Sequence, residues 1–148
     1  MTSLTLVRHI TARPSIVFDA LTRAEEIVEW WGPDDLPVLL AQVDARVGGG
    51  YRVRFQTLDG LQHEACGEYL ELDPPRRVVM SWRFADGGEA LEQGRTSRIE
   101  IDLRPTPQGT ELTFTHARLF NAESRASHEW GWSGSLDKLT RRLAASQT

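Results

Sequence analysis

Between Tyr51 and His116 the apolar residues of this chain fall on alternate positions, segment after segment. Tyr51, Val53 and Phe55 share one parity, with Arg52, Arg54 and Gln56 on the other. Val78, Met80, Trp82 and Phe84 repeat the pattern, as do Ile99, Ile101 and Leu103, and then Leu112, Phe114 and His116. A period of two places each set on one face of a half-buried strand. Short turn signals separate the strands: "VGGG" (47–50), "LDG" (58–60), "DPP" (73–75) and "TPQG". Connections this short favour an antiparallel meander. "HEACGEYLELD" is a further strand, and Gly67 is read as the place where its phase shifts, which leaves the face of Cys66 open.

After Asn121 the period changes. Trp132, Leu136, Leu139 and Leu143 recur at helical spacing, with Asn121 or Ser124 as the cap. A helix over 122–145 is about 36 Å long, enough to cross a small sheet. At the other end, "LTLVRHI" (4–10) has strand composition. "ARPSIVFDALT" and "RAEEIVEWWGP" then read as two short helices, the first opened by Pro14 and the second stopped by Gly32 and Pro33. A loop leads from there to a strand at about 38–45. Runs of strands bounded by helices define an α+β domain. The expectation is one domain over 1–148: a curved antiparallel sheet of six or seven strands, two short helices and a long C-terminal helix.

The chemistry of the chain narrows its function. A formal net charge of −4 gives no basic footprint for nucleic acid. No apolar run is long enough to span a bilayer, and the N-terminus has no signal-peptide core, so the expectation is a cytoplasmic protein. One cysteine forms no internal disulfide and no structural zinc site, and His9, His63, His116 and His128 lack ligand spacing. Neither metal nor cofactor is expected. No nucleophile elbow or carboxylate pair stands out. The "DARVGGGYR" glycines (44–52) lack the lysine and Ser/Thr of a phosphate loop and read as a turn or bulge. Asp44 is paired with Arg46 or Arg52 at the surface, and Arg54, Glu64, Glu68, Arg83, Arg98 and Glu100 are assigned to the solvated face.

What is unusual is the aromatic content of the inward positions. A core built for packing alone uses Leu, Ile and Val; this one aligns Tyr51, Phe55, Trp82, Phe114 and Trp132. Aromatic and methionine side chains suit flat apolar ligands. The candidate ligand-binding set is therefore Trp30, Trp31, Tyr51, Val53, Phe55, Met80, Trp82, Phe114, His116, Trp132 and Leu136. Of Trp30 and Trp31, one is read as a core anchor and the other as a surface ring or the entrance of a cavity, with "WWGPD" as a lid hinged at Gly32. His116 points inward, either hydrogen-bonded within the core or orienting a ligand. His128 is read as a surface residue at the helix end, with proton transfer by His116 or His128 as the alternative.

Six segments, in order, also resemble a known family: "RPSIVFDALT", "WWGP", "DARVGGGYR", "GEYLELDPPRRVVMSW", "GTELTFTHARL" and "HEWGWSGSLDKL". They are similar to bacterial proteins related to the activator of the heat-shock protein 90 ATPase, within the START-like (SRPBCC) superfamily. The likeness runs over roughly residues 4–145. It implies a helix-grip fold, in which a curved sheet grips the last helix around an apolar cavity. It also implies three rival functions: binding of a small aromatic or lipid-like molecule, a cyclase or aromatase using the same cavity, and a co-chaperone-like interaction module. The full co-chaperone has a further domain that these residues do not include, which counts against a chaperone partner. A homodimer through the sheet edge or the loop at 85–95 is left open.

Overall fold

Alternation of apolar and polar residues forces the strands to share one buried face, and the structure builds that face as a single sheet. A computed structural model of the chain describes residues 2–32, 36, 38–86 and 95–145, with 85, 86 and 145 described by backbone alone. The expected lid over "WWGPD" and most of the loop at 85–95 lie outside these residues. In chain order the elements are β1 (Thr2–Ile10), α1 (Pro14–Thr22), α2 (Ala24–Trp30), β2 (Leu40–Val43), β3 (Gly50–Gln56), β4 (Gln62–Asp73), β5 (Arg77–Asp86), β6 (Ser97–Thr106), β7 (Gly109–Leu119) and α3 (Ala122–Ala145). All neighbouring strands are antiparallel, in the order β1-β7-β6-β5-β4-β3-β2. The six strands from β2 to β7 form a meander. β1 adds beside β7, so α1 and α2 carry the chain from one edge of the sheet to the other.

The long helix forms where the stripe predicted it. Asn121 Oδ1 accepts from the backbone N–H of Ser124 at 2.8 Å, which satisfies one of the unpaired donors of the first turn. Trp132, Leu136, Leu139 and Leu143 are all buried. The helix packs against β1, β7 and α2. Arg8 of β1 donates to Asp137 at 2.9 Å and to Ser133 Oγ at 2.9 Å, and Arg142 reaches back to Glu26 of α2 at 3.0 Å. Trp30 donates its indole N–H to Ala20 O at 2.9 Å and clamps α2 onto α1. A curved antiparallel sheet holding a long C-terminal helix is the helix-grip arrangement.

The outer face differs from expectation in two places. The register of β4 with β5 slips between Glu64 and Ala65 and again between Tyr69 and Glu71, and not at Gly67. Ala65 and Tyr69 therefore stay in phase and face the core, while Cys66 is buried on the opposite side beside Arg52, Glu64 and Arg83. Glu64 is not solvated: its side chain is 6% exposed and lies between Arg52 at 3.0 Å and Arg54 at 2.9 Å. Burial pushes this carboxyl up, but hydrogen bonds and charge from the two guanidinium groups outweigh it and hold the group below the usual range. Arg52 is thus committed to Glu64, and Asp44 pairs with Arg46.

Gly67 has a different role from the one its position suggested. A Cβ built there would lie 2.1 Å from the carbonyl oxygen of Ser81, so β4 and β5 approach more closely than any side chain permits. The same Ser81 oxygen accepts from the Tyr51 hydroxyl at 2.5 Å. Gly67→Ala is expected to push the strands apart and cost about 1–3 kcal/mol. Urea unfolding of the variant checks this, and an unchanged midpoint would contradict the close approach.

Candidate functional site

Two tryptophans from distant parts of the chain meet under the helix. Trp82 points inward from β5 because it is in phase with Met80 and Phe84. Trp132 points down from α3, three turns above Leu143. Their ring centroids are 5.2 Å apart in an edge-on arrangement. Trp31, just past α2, stacks on Trp82 at 5.9 Å and meets Trp132 edge-on at 5.1 Å. Phe114 of β7 lies 4.6 Å from Trp132. Edge-on and offset contacts of this kind add to plain area burial. The sequence reading had one of Trp30 and Trp31 at the surface or an entrance; both are buried, at 2% and 4% exposed.

Next to these rings lies a histidine pair. His116 is fully buried, and its ring centroid is 4.7 Å from that of His128. The Trp132 indole N–H donates to His116 Nδ1 at 3.1 Å, and His116 Nε2 lies 2.7 Å from Ser97 Oγ. An indole nitrogen only donates, so Nδ1 must be an unprotonated acceptor. The proton then sits on Nε2 and is donated to Ser97. Burial, with the nearby His128, pushes the His116 pKa well below the usual histidine value. His116 is therefore a neutral ring with both nitrogens engaged inside the protein. His128 is buried as well, at 8% exposed, not a surface residue at the helix end. Its ring stacks on Phe84 at 5.8 Å and meets Trp82 edge-on at 5.9 Å. At residue 128 the second turn of α3 still faces the sheet, one helical repeat before Trp132.

The cluster opens on one side. A recess of about 250 Å³ lies where the first turns of α3 approach the ends of β5, β6 and β7. Trp82, Phe84 and His128 line its aromatic wall, with Ser97 and Phe120 beside them. The Trp82 indole Nε1 is buried and has no hydrogen-bond partner. A second, shallower depression of about 940 Å³ lies on the outer face, around Arg52, Glu64, Cys66 and Arg83. Among the described residues no group of His, Cys, Asp and Glu is placed to hold a metal ion.

The expected ligand-binding residues thus divide. Trp31, Trp82, Phe114, His116 and Trp132 form one cluster, with Trp30 beside Trp31 and Tyr51 6.4 Å from Trp31. Val53, Met80 and Leu136 are buried in the surrounding core. Phe55 stands apart, stacked on His63 at 5.3 Å. Of this set Trp82 alone lines the 250 Å³ recess; His128 joins it there. Ser97, Phe84 and Phe120 lie outside the set expected from the sequence. Two of them were within reach of the pattern: Ser97 shares parity with Ile99 and Ile101, and Phe84 with Trp82.

Comparison with known proteins settles the lineage. The family model described as activator of Hsp90 ATPase homolog 1-like protein matches residues 11–144. The chain belongs to this family. A solved structure from Chromobacterium violaceum is 26% identical, with a TM-score of 0.84 over 97% of this chain and 99% of that one. An AHSA1 protein from Silicibacter pomeroyi is also 26% identical, with a TM-score of 0.85 over 98% and 99%. An AHSA1-like protein from Aeromonas hydrophila, at 22% identity and a TM-score of 0.75 over 99% and 94%, shares the fold. No curated protein matches the sequence. Within this START-like family no helix of the described residues is long and apolar enough to cross a membrane.

Proposed function

We propose that this Hsp90-activator-like domain binds a small apolar ligand with an aromatic body, in the recess between the start of α3 and the ends of β5–β7. The observation that carries the reading is the aromatic wall of the recess, formed by Trp82, Phe84 and His128, with the Trp82 indole N–H buried and without a hydrogen-bond partner. A buried donor without a partner costs about 1–3 kcal/mol. Native structures rarely leave one so, and those they do leave call for an explanation. A ligand oxygen would supply the missing acceptor once the Trp82 ring turns its N–H toward the recess. The size fits: a cavity of about 150 Å³ holds benzene, and this one is about 250 Å³. Burying about 200 Å² of apolar ligand surface contributes roughly 5 kcal/mol before association costs, which supports weak to micromolar binding. The neighbouring rings of Trp31, Phe114 and Trp132 back the wall and fix the Trp82 ring. The cyclase alternative gains less support, because it needs a histidine nitrogen turned to the ligand and both nitrogens of His116 are taken.

The test is a titration of the indole N–H resonances of ¹⁵N-labelled protein. The chain has five tryptophans, and Trp82→Phe identifies the Trp82 peak by its loss. Benzyl alcohol, which carries an acceptor oxygen, is expected to shift that peak saturably, and toluene to bind about tenfold more weakly. A Trp82 peak that no small aromatic moves would refute the proposal.

A further inference from the structure

We infer that Ser97 selects the polar end of the ligand, and that what it selects is a hydrogen-bond acceptor, the carbonyl of a small aromatic molecule. The inference rests on the reading of the recess as a binding site and adds the chemical class of what enters it. The direction of the hydrogen-bonded chain under the helix is set by a group that only donates. The Trp132 indole N–H points at His116 Nδ1 at 3.1 Å. That contact keeps Nδ1 an acceptor and puts the ring proton on Nε2, because a neutral imidazole has one nitrogen of each kind. The ring stays neutral, since burial first and His128 second disfavour its charged form. Nε2 lies 2.7 Å from Ser97 Oγ, so the serine accepts there.

A serine hydroxyl that accepts through one lone pair still carries its own proton. That proton cannot return to Nε2, which already holds one. The carbonyl oxygen of Trp82 lies 3.5 Å away, beyond the usual range of about 2.5–3.0 Å for such a bond. Ser97 is half-buried and lines the recess, so the donor that ends the chain stands on the wall of the site. It also stands directly opposite Trp82 in the β5–β6 pairing. Side chains of such a pair share one face, with Cβ atoms about 4.5–5.5 Å apart. The hydroxyl is thus beside the aromatic wall against which the ligand ring rests.

A carbonyl matches this wall better than other polar groups of the same size. It carries no proton to set against the Ser97 O–H. Its oxygen has two lone pairs, one for Ser97 and one for the Trp82 N–H once that ring turns toward the recess. A donor-only group can use the second lone pair of Ser97 Oγ, but it leaves both wall protons without an acceptor. A volume of about 250 Å³ takes one ring with a short carbonyl substituent. In this arrangement Ser97 touches the ligand, while His116 and Trp132 are positioning residues that act through it.

The experiment compares acetophenone with its isostere α-methylstyrene, in which CH₂ replaces the oxygen, on the intact chain at pH 7.5. Both are expected to shift the Trp82 indole resonance. The carbonyl carbon of ¹³C-labelled acetophenone is expected to move downfield on binding, the signature of an accepted hydrogen bond. In Ser97→Ala, acetophenone is expected to bind about five- to tenfold more weakly, with α-methylstyrene binding retained. That retention is the control for folding. Trp132→Phe releases His116 from its single tautomer and is expected to reduce the downfield shift, although residue 132 is not part of the recess wall. Equal effects of Ser97→Ala on the two probes overturn the role of Ser97 and leave the recess as a purely apolar site. A carbonyl carbon that does not move downfield overturns the hydrogen bond itself. A full downfield shift in Trp132→Phe overturns the orientation of the serine by the buried chain. Failure of both probes to move Trp82 overturns the site.

Discussion

Trp132→Ala is expected to lower the unfolding free energy by about 4–6 kcal/mol and the melting temperature by roughly 10–20 °C. Three effects add up. The substitution removes a large side chain that is 5% exposed and meets Trp31, Trp82 and Phe114 at centroid distances of 4.6–5.2 Å. Loss of a buried Trp ring in this way costs about 3–5 kcal/mol, the upper part of which reflects the void left behind. It also strips His116 Nδ1 of its donor, and an unpaired buried acceptor adds to the cost. Finally, Trp31 loses one of the four rings packed against it, and Trp31 ties α2 to the sheet. Trp132→Phe separates the terms. It keeps most of the ring contacts, loses only the N–H, and is expected to cost about 1–3 kcal/mol. Calorimetric melts of both variants provide the check. A loss below about 2 kcal/mol for alanine would mean that the ring is not a structural centre.

Why this residue could be found in the sequence, and others could not, follows from the range of the interactions involved. Trp132 belongs to a stripe with Leu136, Leu139 and Leu143, and helical period is a local signal. The strand faces were legible for the same reason: Tyr51, Val53 and Phe55 alternate with arginines whatever the rest of the chain does. Those two periodicities are enough to give a sheet and a covering helix, and the six matched segments then point to the helix-grip fold. The errors arose where a distant strand decides. Cys66 faces outward because β4 keeps its phase from Ala65 through Gly67 to Tyr69, its slips against β5 falling at Glu64–Ala65 and Tyr69–Glu71. Glu64 looked like any solvated strand acid, and it is buried because two arginines from β3 close over it. Trp31 looked half free because its covering rings come from residues 82 and 132.

The recess was the least legible part. It joins β5, β6, β7 and α3, and no short segment contains more than three of its lining residues. The polar residues that give it character were not prominent in the sequence. Ser97 follows a glycine-rich loop, Arg118 ends a strand, and His128 stands before the apolar stripe. Parity turns Phe84 inward with Trp82, and extended to Ser97 it turns that residue inward with Ile99. Nothing local announces the left-handed backbone of Arg118, at φ +63.

His116→Leu is expected to cost about 2–4 kcal/mol at pH 7.5, and the deficit is expected to shrink as the pH is lowered. The first half follows from the hydrogen bonds. Leucine is close in size but leaves Trp132 Nε1 and Ser97 Oγ buried without their partner, at about 1–3 kcal/mol each, offset by removal of a polar ring from the core. The second half follows from linkage. The folded-state pKa of His116 lies well below the ordinary value, through burial first and the neighbouring His128 second. In the unfolded chain the same ring titrates near 6.5. Between that value and the lower folded one, the unfolded state holds a proton that the folded state refuses. The contribution of His116 is therefore complete above about pH 7 and is lost as the pH falls below about 6.5, with a limiting slope of about 1.4 kcal/mol per pH unit. Protonation in place is no escape, since a charged ring would turn Nδ1 from acceptor to donor and set it against the Trp132 N–H. Leucine has no such slope at this site, so the stability curves of the two proteins converge between pH 6.5 and 5. Glu64 and Glu100, whose carboxyls are held low by arginines, lose their contributions only below about pH 4.5, outside this window. Urea unfolding at pH 7.5, 6.5, 5.5 and 5.0 measures the convergence. Parallel curves would mean that His116 takes up its proton as readily in the folded protein as in the unfolded one. The hydrogen-bonded chain from Trp132 through His116 to Ser97 would then not be the arrangement that holds this core.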